Sequence, residues 1–406
     1  MKTTHPKNKR DIDDLSRMLA EVFSGRYDHL RTTMSRRYSK DPGVTPDCMR
    51  IIKRGGAIAA HVGIHGKTVR IGRAQFEMGG IGAVAVREGF RKKGLATVCL
   101  EDALQVMRDK GMQLSFLFGI SNFYTKVGFI GCYPNHALKL DVRFFEHFKN
   151  RFAVGNYKSS DLNGMLKLYE AASEKTPGAV VRDRKGFAFS IEDRELAAKK
   201  PKDEGRLQVF REKGKGGKVR AYVVYDGRLA EAMVAPGDEA ACESVLAWLR
   251  QKRVEALEKE LHIERLAPAH PLWRYALRLP HRIERRFNWT GDGMGQILDV
   301  DEFLRRMQPE FERRVDGAGI VAECHLHLNV DGKDHSMVLC RSHLITNAGA
   351  NVMAASVICS RQALLQMCLG TFGIEELPEV AHSGTKSLVR ALFPPAGPTM
   401  YTLDRF

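Results

Sequence analysis

The sequence predicts a mixed α/β (α+β) chain of more than one unit, and three observations carry that expectation. Residues 79–129 read strand, basic glycine-bearing loop, amphipathic helix, strand and short aromatic helix (GGIGAVAV, REGFRKKGLA, TVCLEDALQVMRDKG, QLSFLFG, SNFYTKVGF). A decayed copy of that order recurs in GRLAEAMVAPGDEAACESVLAWLRQKR. Near the end, Asp331-Gly332 between two apolar runs signals a hairpin, and helical segments follow it. The 406 residues exceed what one ordinary domain needs.

Taken in order, DIDDLSRMLAEVF (11–23) is an amphipathic helix with acids in its first turn. Strands are expected over Cys48–Lys53, Ala57–His65 and Thr68–Phe76, with a turn at His65-Gly66-Lys67. The next pair of strands is Gly80–Val86 and Gln113–Gly119. The loop after the first carries Arg87, Arg91, Lys92 and Lys93 against one acid, Glu88, and opens into a helix. Unpaired amides and the helix dipole favour an anion there. The loop has neither G-x-x-x-x-G-K-[ST] nor G-x-G-x-x-G. Gly94 lets backbone approach a phosphate without an intervening Cβ, and small Ala96 permits close packing. The helix buries Val98, Leu100, Ala103, Leu104 and Met107 and stops at Lys110-Gly111. Residues 136–143 are expected to close this first unit as a strand.

A second unit begins near Phe152 with NYKSSDLNGMLKLYEAAS, a strand and capped helix, and continues with strands around 206–212 and 218–225. Its own loop holds Asp238-Glu239 in place of the basic run, so an anionic pyrophosphate is repelled there. A third unit starts near Gly291: a strand and long helix in MGQILDVDEFLRRMQPEFERRV, strands over 318–330 and 334–345, then helices in SRQALLQMCLG and EVAHSGTKSLVRALFP. His325, His327 and His335 raise a metal reading, but a full ligand set with convincing spacing is missing, and hairpin-surface histidines are the simpler reading. No metal is expected.

Net charge is +16, which permits an anionic partner. The basic residues are dispersed and no nucleic-acid-binding signature organises them, so neither nucleic acid nor membrane is expected as a partner. The 8 cysteines occur singly, without C-x-x-C, as buried thiols of a reducing compartment. The N-terminus lacks an apolar signal core and no run of about 18 apolar residues occurs; a cytoplasmic protein is the expectation.

Arg91-Lys92-Lys93-Gly94-Leu95-Ala96 matches R/Q-x-x-G-x-G/A and resembles the pyrophosphate loop of the GNAT acetyltransferase superfamily. The resemblance implies acetyl-CoA as co-substrate, held by Arg91, Lys92, Lys93, Gly94, Leu95 and Ala96. The backbone of Val84 and Val86 would face pantetheine and acetyl carbonyl, between strands that splay apart. Acetyl transfer to an amine needs a neutral nucleophile, a donor for the oxyanion and a proton for the departing thiolate. Tyr124, in SNFYTKVGF, is similar to the family's general acid; Asn122 could orient the cofactor or cap the short helix. Glu77, on the strand before the loop, is one candidate base.

Two acetyltransferase-like units and a small unit similar to a sterol-carrier-protein domain, in about 400 residues, resemble the Eis (enhanced intracellular survival) family. The boundaries so implied are 1–150 for the acetyl-CoA domain, 151–290 for a degenerate copy without cofactor, and 291–406 for the sterol-carrier-like unit. In that family the chain's own C-terminus reaches the active site, which implies the carboxylate of Phe406 as base, with Glu77 as the fallback. The superfamily resemblance, in which the first helix and the segment after it wall the acceptor site, makes Glu21, Phe23, Tyr27, Asp28 and Tyr38 acceptor-pocket candidates; the Eis resemblance implies a hexamer and amine acceptors such as aminoglycosides or protein lysine. An apolar-ligand-binding protein with a CoA-sensing first domain is the alternative from another class.

Overall fold

The computed structural model describes residues 2–23, 36–196, 206–288, 290–339 and 352–406. Helix α1 (Lys9–Phe23) precedes strands β1 (Met49–Arg54), β2 (Ala57–Ile71) and β3 (Ala74–Val86), helix α2 (Leu95–Asp109), and strands β4 (Leu114–Ile120) and β5 (Ile130–Tyr133). These strands build a six-stranded sheet whose sixth member, Thr290–Ile297, comes from far along the chain and lies between β4 and β5. A seven-stranded sheet contains, in spatial order, His281–Arg286, Asn135–Asp141, Glu260–Glu264, Leu229–Val234, Val219–Tyr225, Leu207–Arg211 and Ala153–Asn156. A four-stranded sheet orders Lys333–Leu339, Glu323–Val330, Val352–Cys359 and Ala381–Gly384.

Two strands therefore cross the boundaries suggested by the sequence. The segment expected to close the first unit pairs instead with Glu260–Glu264 and His281–Arg286 of the second sheet. The strand expected to open the third unit pairs with β4 over Thr290–Ile297 and seals the first sheet. Strand pairing is decided by tertiary contact, which one segment's periodicity does not reveal. The expected turn at His65-Gly66-Lys67 is absent too. β2 runs straight through it, with Gly66 donating its N–H to the Gly43 carbonyl at 2.8 Å, and the chain reverses at Gly72 (φ 58°). EVAHSGTKSLVRALFP splits into the strand Ala381–Gly384 and the helix Lys386–Leu392. The Asp331-Gly332 hairpin forms as its residues require, both at positive φ (52° and 84°).

The first sheet is covered on both faces. On one, α2 buries Leu95, Cys99, Leu100, Ala103, Leu104 and Met107. On the other, helix Val300–Gly317 brings Phe303 against Phe76, ring centroids 4.9 Å apart. Each such side chain withdrawn from water contributes about 1.5–3 kcal/mol. Among the described residues, no helix is long and apolar enough to cross a membrane.

The chain's last residues run between the first and second sheets and are tied down by a buried charge cluster. Arg182 donates to Asp404 Oδ1 (2.8 Å) and Oδ2 (3.0 Å) and to Glu231 Oε1 (2.9 Å). Tyr222 donates to the same Glu231 oxygen at 2.8 Å, and the Leu403 amide to its other oxygen at 3.0 Å. The guanidinium also lies 3.6 Å above the Tyr169 ring. Arg182, Glu231 and Asp404 are 5 %, 0 % and 3 % exposed, so one buried guanidinium is shared between two buried carboxylates. Burial alone would favour loss of the Arg182 proton; the adjacent carboxylates reverse this and hold its pKa well above the ordinary arginine value. Arg182→Ala would leave two uncompensated buried carboxylates, with an expected loss of about 3–5 kcal/mol in unfolding free energy. Urea denaturation checks this; an unchanged midpoint and slope would contradict it.

Candidate active site

β3 and β4 run parallel but pair only from Met78↔Leu114 to Ile81↔Leu117. Beyond that point the strands separate, although β3 continues to Val86 and β4 to Ile120. A bulge drives the separation. The β2–β3 register shifts between His61 and Gly63, and Ala83 adopts φ 48°. His61 clamps this bulge: Nδ1 lies 2.8 Å from the Ala83 carbonyl, so it must donate, and Nε2 is left to accept from the Tyr38 hydroxyl at 3.0 Å. Burial lowers the His61 pKa to about 4, which keeps the ring neutral in this role.

The basic loop closes the wide end. Lys92 (φ 59°) and Gly94 (φ 73°) both turn left-handed, and the first intrahelical bond of α2 is Val98 N–H to the Gly94 carbonyl. Leu95, Ala96 and Thr97 therefore have amides with no intrahelical partner, and Gly94 supplies no side-chain cap. Arg91, Lys92, Lys93 and Gly94 are exposed; Arg91 Nε reaches the Val86 carbonyl at 3.3 Å and Lys93 Nζ that of Gly89 at 3.2 Å. This is a cationic concavity at a helix N-terminus, suited to phosphate. Val84 and Val86 are half-buried and pack with the α2 cluster. In the segment expected to hold the second unit's loop, Asp238 caps the Ala241 amide of helix Glu239–Glu255 at 3.1 Å and pairs with Arg220 at 2.7 Å.

Tyr124 and Phe406 meet the split from opposite faces. Tyr124 belongs to the α2 side, where its ring presses on the Cα of Gly119 and touches Phe123. Burial pushes its hydroxyl up to about 12, so it stays protonated at neutral pH. Asn122, two residues earlier in the short helix Ser121–Tyr124, is exposed. Phe406 lies on the other face, its ring over Gly80, stacked on His65 (5.8 Å, 13°) and tilted against Phe118 (5.9 Å). Its carboxyl carbon sits beside Gly82, and among the described residues no cation pairs with it.

The remaining candidates are placed less favourably. Glu77 is exposed near the start of β3, bonded to Thr68, with its side chain on the α2 face. It is five residues, about 16 Å of strand, from Gly82. The Glu21 carboxylate pairs with Arg87 at 3.2 Å, and the same guanidinium reaches Asp14 at 3.4 Å. Phe23 is half-buried against the Tyr38, Ala83 and Ala85 cluster. Tyr27 and Asp28 lie outside the described residues. His325 and His327 share a face of one strand and bond to Glu323 and Ser336, whereas His335 sits beside Asp301.

Four residues at the split escaped sequence reading: His61, His65, Asp41 and, through its hold on the tail, Arg182. Gly63, Gly80 and Gly82 form a floor bordered by His61, His65 and Phe406. The only sequence signal was the His-x-Gly-x-His alternation of 61–65 within an apolar strand, which places both rings on one face.

Residues 3–131 match the family model described as an acetyltransferase (GNAT) domain. Over these residues the chain thus carries an acetyltransferase domain of the GNAT class. Over their whole length, three solved structures share its fold. The chain is similar to a GCN5-related N-acetyltransferase from Anabaena variabilis (15 % identity, 100 % of each chain covered, TM-score 0.69). It is also similar to one from Kribbella flavida (18 % identity, 100 % and 98 % covered, TM-score 0.68). The third is Eis1 from Mycobacterium abscessus (12 % identity, 100 % of each covered, TM-score 0.63). No curated protein matches the chain.

A methyl group on Gly80 would run into the Phe406 ring. Gly80→Ala should therefore expel the terminal ring, and carboxypeptidase should release Phe406 at least about tenfold faster than from the unaltered chain. Equal release rates would contradict the placement of the tail.

Proposed function

We propose that the protein transfers the acetyl group of acetyl-CoA to a primary amine held at the β3–β4 split, with Tyr124 as general acid and the Phe406 carboxylate as base. The observation that carries this reading is the opposed placement of those two groups across one gap in the sheet. The pyrophosphate would rest on the amides of Leu95 and Ala96 with Arg91, Lys92 and Lys93 around it. Pantetheine would fill the gap left by the missing β3–β4 ladder, using backbone groups of Val84 and Val86. The amine would arrive on the glycine-floored face, where the Phe406 carboxylate attracts an ammonium group and orients it. Attack forms the C–N bond as the C–S bond breaks, and the thiolate takes the Tyr124 proton. The position of Glu77, exposed and far along β3, favours the terminal carboxylate as base.

The acceptor class we favour is a small polyamine-like molecule, including aminoglycosides at more than one position; protein lysine is the second choice. A hexamer and a cytoplasmic location follow from the Eis-like architecture as part of the same reading, as does a sterol-carrier-like third unit. A lipid-binding role for that unit draws little support from the cavity of about 690 Å³ at its junction with α2, which is lined by Arg108, Asp301, Glu302, Arg306, Lys333 and His335.

Three outcomes test the reading, the first and last followed as CoA release from acetyl-CoA and the second as acetyl-CoA binding. Tyr124→Phe should lower turnover about 100-fold with acetyl-CoA affinity within about threefold, the loss expected for a general acid; full turnover would remove the assignment. Arg91→Ala and Lys92→Ala should each weaken acetyl-CoA binding about tenfold, as loss of one charge-assisted phosphate contact does. Unchanged titration calorimetry would place the pyrophosphate elsewhere. One glycine added after Phe406 should cut turnover at least about tenfold; an active extended chain would exclude the terminal base.

A further inference from the structure

A histidine enclosed in a protein interior normally spends its ring nitrogens on hydrogen bonds. His65 is 5 % exposed. Its Nδ1 faces Asp41 Oδ2 at 3.7 Å, and among the described residues Nε2 has no protein partner. A methyl group built on Gly82 would lie 2.9 Å from Nε2 and 3.3 Å from the Phe406 carboxyl carbon. The imidazole edge and the terminal carboxylate therefore border one point on β3, at the mouth of the split. Asp41 is fixed in turn by the Gly43 amide, which donates to its other oxygen at 2.9 Å.

We infer that His65 is a catalytic residue: its Nε2 accepts the proton released by the acceptor amine, Asp41 stabilises the resulting imidazolium, and the Phe406 carboxylate holds the ammonium in place. This rests on the acetyl-transfer reading above and divides the base's work between two groups. A free α-carboxylate has a pKa of about 3.3–3.7 and an imidazole about 6.5. The base nearer the working pH is the more effective acceptor, and the more acidic group is the better permanent anion. The protons balance. The bound ammonium loses two: one replaces the proton that Tyr124 gives to the CoA sulfur, and the other leaves through His65 to water. One C–N bond forms, one C–S bond breaks, and nothing is oxidised.

The charged groups facing His65 set its protonation. Burial lowers its pKa, Asp41 opposes this, and Arg37 and Lys67 lower it further; His61 and the Phe406 carboxylate complete its surroundings. The net shift is downward, so the ring is neutral at neutral pH and able to accept. Activity should then be lost as pH falls through the His65 pKa, below the ordinary 6.5. Removing Asp41 withdraws an anion that favours imidazolium, so the acid limb must move to still lower pH.

The test is kcat/KM against pH with spermidine and kanamycin as acceptors, for the unaltered chain, Asp41→Asn and His65→Gln. Asp41→Asn should slow the reaction about fivefold and move the acid limb downward. His65→Gln should lose about 100-fold and that limb, with acetyl-CoA affinity within about twofold. An unmoved limb in both variants would overturn the inference. Nitrogen-15 NMR titration of the His65 ring, with and without spermidine, reads the site independently of turnover. The ring should titrate at lower pH in Asp41→Asn and respond to spermidine, and an indifferent ring overturns the inference. If the unaltered chain acetylates neither amine while the ring behaves as described, the acetyl-transfer reading fails with these acceptors and the His65–Asp41 pair stands.

Discussion

The placement of the proposed active centre depends on one buried interaction, the grip of Arg182 on Asp404 and Glu231. Final residues of a chain usually fray, because few contacts repay the entropy of ordering them. Here residue 404 is locked by charge-assisted hydrogen bonds in a dry interior, and only two residues separate it from the terminal carboxylate. A buried ion pair is a poor source of net stability, since desolvation consumes most of its Coulombic gain. Its contribution is positional: the cluster joins the segment after the second unit's first helix, one strand of the second sheet and the tail, and so fixes where Phe406 can reach. Through this cluster the second sheet supports the tail on which the proposed chemistry of the first sheet relies.

The split it serves is a backbone defect stabilised by neutral side chains. A parallel ladder that ends at Ile81↔Leu117 takes from each strand the backbone partner that the other would have offered beyond that point, a loss that a sheet interior does not ordinarily tolerate. The bulge at Ala83, the His61–Tyr38 clamp and the glycines at 63, 80 and 82 together make the gap both open and reproducible. None of the three glycines could carry a side chain without displacing Phe406, His65 or the neighbouring strand. The floor's smallness and the walls' polarity are thus one requirement.

The sequence displayed the local parts of this arrangement well. The basic loop, the αL glycine, the α2 face and the Asp331-Gly332 hairpin all arise from interactions within a few residues, and each is found where its chemistry calls for it. What it concealed is non-local. Thr290–Ile297 carries no mark of its place between β4 and β5, and Asn135–Asp141 looks the same whichever sheet receives it. His65 and Asp41 are 24 residues apart and Arg182 and Asp404 are 222 apart. A lone arginine in a helix-preceding segment reads as surface until its partners are seen. The proposed pocket residue Glu21 illustrates the converse, an acid of suitable position claimed by Arg87.

The most direct measurement replaces the Phe406 carboxylate by a carboxamide through ligation of a synthetic C-terminal peptide, leaving length, ring and the Asp404 anchor intact. CoA release from acetyl-CoA is then compared for the two chains with an amine acceptor. The account predicts unchanged acetyl-CoA affinity, weaker acceptor binding and turnover reduced at least about tenfold. Equal turnover and equal acceptor binding in the carboxamide form would contradict the claim that the tail is held in place to present a charge.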